Sequence, residues 1–170
     1  MAKCRRYLVV TGYVDHSKLF TRAYRLLSEL SSTQIRVFEE ARRITALIDA
    51  DKFTSLSRLC RDHLSICMVE VKASCKLSNP NRLVDLLKKQ GFTLLRGTKT
   101  IMAYGVVSGR IVEVEVASGG VKLKVGSRVS GDRVKPPVPG SLFSLDINEA
   151  TQALEHLSMV LGLIKGVLYA

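Results

Sequence analysis

The chain has no tryptophan, only 6% aromatic residues and four prolines in 170 positions. Without tryptophan and with Tyr7, Tyr13, Phe38 and Tyr104 isolated from one another, a general base-stacking platform for single strands is not expected. No stretch of about 18 apolar residues occurs, which excludes a membrane-spanning helix by length. The N-terminal "MAKCRRYLVVTGYV" lacks the uninterrupted apolar core of a secretory leader. Also missing are the phosphate-binding G-x-x-x-x-G-K-[ST] loop, a G-x-G-x-x-G turn between strand and helix, the G-x-S-x-G elbow and the H-E-x-x-H helix. Enzyme classes that announce themselves through those motifs are therefore set aside, and whether the chain is an enzyme at all stays open. No catalytic residue is assigned.

Four cysteines are present, at 4, 60, 67 and 75, with no C-x2-C pair among them. The expectation is a cytoplasmic protein with reduced, partly buried thiols and no metal, although His63 lies between Cys60 and Cys67. The three histidines, His16, His63 and His156, fall near a helix start, near a helix end and on the polar side of a helix. Those are ordinary surface or capping positions.

What the chain does have is positive charge. Lys and Arg number 26 against 15 Asp and Glu, a net charge of +11. Residues 1–75 contribute +5, residues 76–140 contribute +8 and residues 141–170 contribute −2. The abundance of arginine also accompanies thermophily. Within "GGVKLKVGSRVSGDRVKPP", residues 119–137, Lys122, Lys124, Arg128, Arg133 and Lys135 face a single acid, Asp132. Period-two alternation turns Val121, Leu123 and Val125 inward and so brings Lys122 and Lys124 out together. Five cations on a loop-rich segment suit phosphate contact, so the leading expectation is a basic RNA-binding protein. The alternative is a small-ligand-binding regulatory module with no nucleic-acid role, a task that folds of the same class also perform.

Hydrophobic spacing predicts the elements. "RYLVVTGYV" is a strand, and Asp15 caps a helix with Leu19, Ala23, Leu26, Leu27 and Leu30 on one stripe. Ile35 and Val37, then Ile44, Ala46 and Ile48, alternate as a hairpin. After Asp49 or Asp51 as cap, Phe53, Leu56, Leu59, Cys60 and Leu64 form a second helical stripe. Ile66, Met68, Val69 and Val71 mark a buried strand. The order βαββαβ over residues 6–75 is that of ferredoxin-like domains. A helix then opens at Asn79-Pro80 and closes at Gly91, and strands follow with turns at "SGR" and "SGG". Glu113 and Glu115 share the outward face of one of these strands. Finally, Asp146 caps a long helix through "INEATQALEHLSMVLGLIKGVL". The expected fold is α+β, a mainly antiparallel sheet with a ferredoxin-like start, two βαβ-type halves (1–75 and 76–170) in a single domain over 1–170, and a long C-terminal helix. The wide apolar stripe of that helix leaves a homodimer open as a partner arrangement.

One resemblance sharpens the RNA expectation. The run "ICMVEVKASCKLSNPNRLVDLLKKQGFTLLRGTKTIMAYGVVSGRIVEVEVASGGVKLKVG", with Gly91-Phe92, the strand ending "EVASGGVKLKVG" and the helix opening "INEATQALE", resembles the C-terminal half of the tRNA wybutosine-synthesising methyltransferase family. By position "SSTQIRV" stands at that family's Ser/Thr-rich turn, with Ser31, Ser32, Thr33 and Arg36 as its counterparts here. The resemblance implies tRNA as partner, a link to tRNA modification and S-adenosylmethionine as cofactor.

Overall fold

The computed structural model describes residues 4–168, so the first three residues of the N-terminal stretch lie outside it. β1 (Cys4–Tyr13) leads to α1 (Ser17–Leu30), then β2 (Arg36–Phe38), β3 (Arg43–Asp49), α2 (Phe53–His63) and β4 (Ile66–Lys76). The second half runs α3 (Pro80–Lys89), β5 (Thr93–Arg96), β6 (Ile101–Val107), β7 (Arg110–Ala117), β8 (Gly120–Arg128) and α4 (Ile147–Leu168). All eight strands join one antiparallel sheet in the order β2-β3-β1-β4-β8-β7-β6-β5. The first four are arranged as the βαββαβ order requires, with β1 central between β3 and β4. In the second half, β5 to β8 form a meander in which each strand pairs with the next.

Alternation along the strands divides the sheet into two unlike faces. Leu8 and Val10 of β1, Ile44, Ala46 and Ile48 of β3, Val69, Val71 and Ala73 of β4, Val112 and Val114 of β7, and Leu123 and Val125 of β8 are buried. They share one apolar cluster with Ala23 and Leu27 of α1, Leu56 and Leu59 of α2, Leu83 and Leu87 of α3, and Leu157 and Ile164 of α4. The four helices therefore cover a single face, as their amphipathic spacing demands. The opposite face carries the alternate residues, which are largely polar. Ile66 departs from expectation: it begins β4 at 54% exposure, because the buried set of that strand is Val69, Val71, Ala73 and Cys75.

Helix ends agree with sequence signals in two places and correct them in two. Asn79 Oδ1 accepts from the Arg82 amide, and Asp146 Oδ1 from the Glu149 amide. At α1, however, it is the His16 ring that accepts from the Lys18 amide, one residue beyond Asp15. Before α2 a 3-10 turn at Ala50–Lys52 intervenes, so neither Asp49 nor Asp51 caps the helix. The cysteines also correct the reduced-thiol expectation. The sheet register sets Cys4 opposite Cys75, and these two are joined as a disulfide, as are Cys60 of α2 and Cys67 of β4. Among the described residues no group of His, Cys, Asp or Glu is placed to hold a metal, and no helix is long and apolar enough to cross a membrane.

The tract 129–146 connects β8 to α4 along the polar face. Thr93 Oγ1 of β5 donates to the Val134 carbonyl at 3.0 Å. The chain then returns to β8, where a 3-10 turn at Gly140–Phe143 buries Phe143 against Gly126 and Ile111. Leu145 completes the passage by exchanging both backbone hydrogen bonds with Val69 at 2.7 and 2.9 Å. On the helical face Arg110, 1% exposed, donates to the Gly126 carbonyl, Glu149 and Gln152, fastening β7 and β8 to the start of α4.

Gly126 is where this passage is tightest: a Cβ there would stand 2.5 Å from the Leu142 carbonyl oxygen and 2.9 Å from the Phe143 ring. Because one of those atoms is backbone, relief requires the 3-10 turn to move. Gly126→Ala is therefore expected to cost about 1–3 kcal/mol, read as a lower urea midpoint with unchanged m-value. A variant as stable as the parent would show that the turn is not packed on β8.

Candidate functional site on the open sheet face

The polar face is organised by cross-strand register. One row runs Thr93, Tyr104, Glu113, Lys124, Lys72, Tyr7 and Asp49 across β5, β6, β7, β8, β4, β1 and β3. The neighbouring row runs Leu95, Met102, Glu115, Lys122, Ser74 and Arg5. Tyr7, Lys72, Glu113, Glu115, Lys122 and Lys124 line a depression of about 190 Å³ where these rows cross β4 and β8. Carboxylates and ammonium groups are interleaved there. Lys124 Nζ lies 3.4 Å from Glu70 and 3.7 Å from Glu113, while Lys72 Nζ lies 4.0 Å from Glu70. Among the described residues Lys122 forms no ion pair, although Glu115 is its register partner.

Three groups on this face have displaced acidities. Burial holds the Lys72 ammonium below the ordinary lysine value, Lys124 adds to that, and Glu70 opposes it. Burial likewise raises the Tyr7 phenol, against the lowering influence of Arg5 and Lys124. Tyr104 is raised by burial first and then by the Glu113 carboxylate beside it. Desolvation is thus felt on a face that carries no helix. Two of these groups, Tyr7 and Lys72, line the one depression, and displaced acidities gathered in this way mark a candidate site.

The cations singled out in the sequence divide between separate places. Lys122 and Lys124 do project together from β8, as their alternation requires. Arg128 lies at the far end of β8 beside the β6–β7 turn, where its guanidinium comes within 3.7 Å of the position a Gly109 Cβ would take. Arg133 and Lys135 are exposed and flank Val134, which is tied to β5 three strands away. The five do not make one stripe. The serines compared with the methyltransferase turn serve the fold: Ser31 Oγ donates to the Leu47 and Thr33 carbonyls, and Ser32 Oγ accepts from Arg5. Thr33 returns its amide to Ser31, and Arg36 sits in the short strand β2. Tyr7, Glu70, Lys72 and Tyr104 were missed as site residues. Their outward parity was available from alternation, but strand order is what brings Tyr7, Glu70 and Lys72 to Lys124 and Tyr104 to Glu113.

No family model matches the chain, and no curated protein matches it. Among solved structures it is similar to the regulatory subunit of aspartate kinase from Thermus flavus, at 7% identity over 92% of this chain and 94% of that one, with a TM-score of 0.30. A score that low carries no argument by itself. The ground for a correction is the charge geometry of the face itself. Lys124 is engaged by two carboxylates, Lys122 and Lys124 stand among Glu70, Glu113 and Glu115, and the remaining cations are dispersed. A phosphate backbone laid on this face would meet as many carboxylates as ammonium groups. The RNA-binding, tRNA-directed expectation is therefore withdrawn.

The displaced acidities have a signed consequence. Lys72 is faced by Glu70 on its own strand, by Lys122 and Lys124 on β8, by Glu113 on β7 and by Tyr7 on β1. Its folded value lies below 10.5, so above that folded value the unfolded chain binds more protons and stability rises with pH up to about 10.5. Tyr7 acts oppositely, its raised value removing stability as pH climbs above 10.0. Lys72→Gln should therefore lose its advantage over the parent as pH approaches 10.5 from below, and Tyr7→Phe should outlast the parent above 10.0. Parallel pH–stability curves for parent and variants would remove the desolvated-site description.

Proposed function

We propose that the chain is a small-ligand-binding module of regulatory type, and that its ligand is a small molecule carrying a carboxylate, seated in the depression on the open sheet face. The observation that carries this is the placement of Lys72 directly opposite Lys124 on adjacent strands, inside a depression. Like charges directly opposite each other on a sheet are destabilising. Glu70 offsets part of that repulsion, but at 4.0 Å it is a loose partner for Lys72, and Lys122 adds a third ammonium within the same depression. An anion entering between them gains two partly desolvated ammonium groups at once, where each contact is stronger than at an exposed surface. The depression, at about 190 Å³, suits a compact metabolite better than a polymer. The flanking carboxylates, Glu113 and Glu115, set the orientation by repelling the anionic end from β7. The tract that passes Thr93 and ends in Phe143 borders the same face, with the Phe143 ring 5.6 Å from Lys124 Nζ, so occupancy of the depression has a direct neighbour to act on.

Thermal unfolding with a panel of small carboxylates, and with alkylamines as charge controls, tests the proposal. A ligand present at a hundred times its dissociation constant should raise the midpoint by roughly 5–10 °C. The double variant Lys72→Gln, Lys124→Gln should lose that rise while keeping its circular dichroism. A rise that is equal for amines and carboxylates, or unaltered in the double variant, would refute the site.

A further inference from the structure

The three lysines of the depression are not equivalent. Lys124 is held by two carboxylates, Glu70 at 3.4 Å and Glu113 at 3.7 Å. Lys122 is exposed and, among the described residues, forms no ion pair, so it is a hydrated ammonium free to meet an anion. Lys72 is different in kind. Its side chain is 24% exposed, its one carboxylate stands 4.0 Å away, and across the strand pair it faces the ammonium of Lys124. An amine that is half-withdrawn from water beside a second cation gives up its proton more readily, and that is how lysine becomes a nucleophile toward carbonyl carbon. The structure thus gathers a desolvated amine, a carboxylate-held lysine and an exposed, unpaired lysine around one depression.

We propose that Lys72 forms a reversible imine with a small 2-oxo acid, whose carboxylate is held by Lys122 and Lys124. This rests on the proposed carboxylate site and specifies its ligand: the Lys72 ammonium meets the carboxylate on entry, and the pairing passes to Lys122 and Lys124 when Lys72 reacts as the free amine. The unprotonated Nζ adds its lone pair to the carbonyl carbon next to the carboxylate, forming the carbon–nitrogen bond of a carbinolamine. The carbonyl oxygen becomes a hydroxyl, takes a second proton and leaves as water while the nitrogen lone pair closes the C=N bond. One amine and one carbonyl compound yield one imine and one water, with no oxidant or reductant consumed. Glu70, the carboxylate nearest Nζ at 4.0 Å, receives the proton the amine sheds and returns it to the departing oxygen once it closes to hydrogen-bond distance, about 3 Å. In a 2-oxo acid the carboxylate is bonded to the carbonyl carbon, so a cation beside the nucleophile holds the reacting atom near it. A simple aldehyde or ketone lacks that handle.

The test is borohydride trapping on the full chain with pyruvate, followed by proteolysis and mass mapping, with acetone as the ketone without a carboxylate. The expected result is one reduced adduct per chain, on the peptide bearing Lys72, formed with pyruvate at least about tenfold faster than with acetone. Lys72→Arg, which keeps the charge, should abolish it, and Lys122→Gln should slow it while leaving the fold, checked by circular dichroism, intact. An adduct distributed over the lysines according to exposure, or undiminished in Lys72→Arg, overturns the proposal. If pyruvate raises the melting midpoint without any adduct on Lys72, the imine is refuted and the carboxylate site stands. If it does neither, and no other carboxylate raises the midpoint, both fall.

Discussion

The pairing of β4 with β8 is the interaction on which the rest of the structure depends. It runs from Val71 opposite Val125 to Lys76 opposite Gly120 and joins the ferredoxin-like half to the meander as one sheet. On the helical side it places Ala73 against Leu123 and Cys75 against Val121, continuing the apolar layer without a break. On the other side the same register puts Lys72 opposite Lys124. Because side chains alternate with a period of two, the two consequences are inseparable: a slip of one residue would send the lysines into the core. The strength of burial on one face therefore holds an otherwise repulsive arrangement on the other.

A sheet of this width with helices on only one face leaves an extended polar surface that must be satisfied by its own side chains. The chain does so with interleaved charges, Glu113 and Glu70 about Lys124, and by laying the tract 129–146 along part of the face. The ends of the sheet are handled by shortness, β2 having three residues and β5 four, which limits the unpaired backbone offered to another strand. What remains open is the middle, over β4 and β8, and that is where the acidities of Lys72 and Tyr7 are displaced.

Much of this was legible in the sequence. The ferredoxin-like order, the inward set Val121, Leu123 and Val125, the turns at Ser108-Gly109 and Ser118-Gly119 and the capping by Asn79 and Asp146 all follow from local patterns. Ser108 and Gly109 have positive φ values of 47° and 85°, consistent with the tight turn that "SGR" signals. The choice of His16 over Asp15 as cap was not legible, since both side chains can accept a bond and only the local path of the chain decides between them. Nor was the cysteine pairing, because Cys4 and Cys75 meet through the register of β1 with β4.

Composition misled about function for a related physical reason. A net charge of +11 is a property of the whole chain, whereas a partner meets a local surface. Local alternation by itself determined which residues of each strand face the core and which face out, because that follows from backbone geometry within a few residues. Only the tertiary structure decided what each outward lysine faces. Strand order brings Glu70 and Lys72 to Lys124 from 54 and 52 positions away, turning a cationic stretch of sequence into a neutral, interleaved patch with one desolvated amine at its centre.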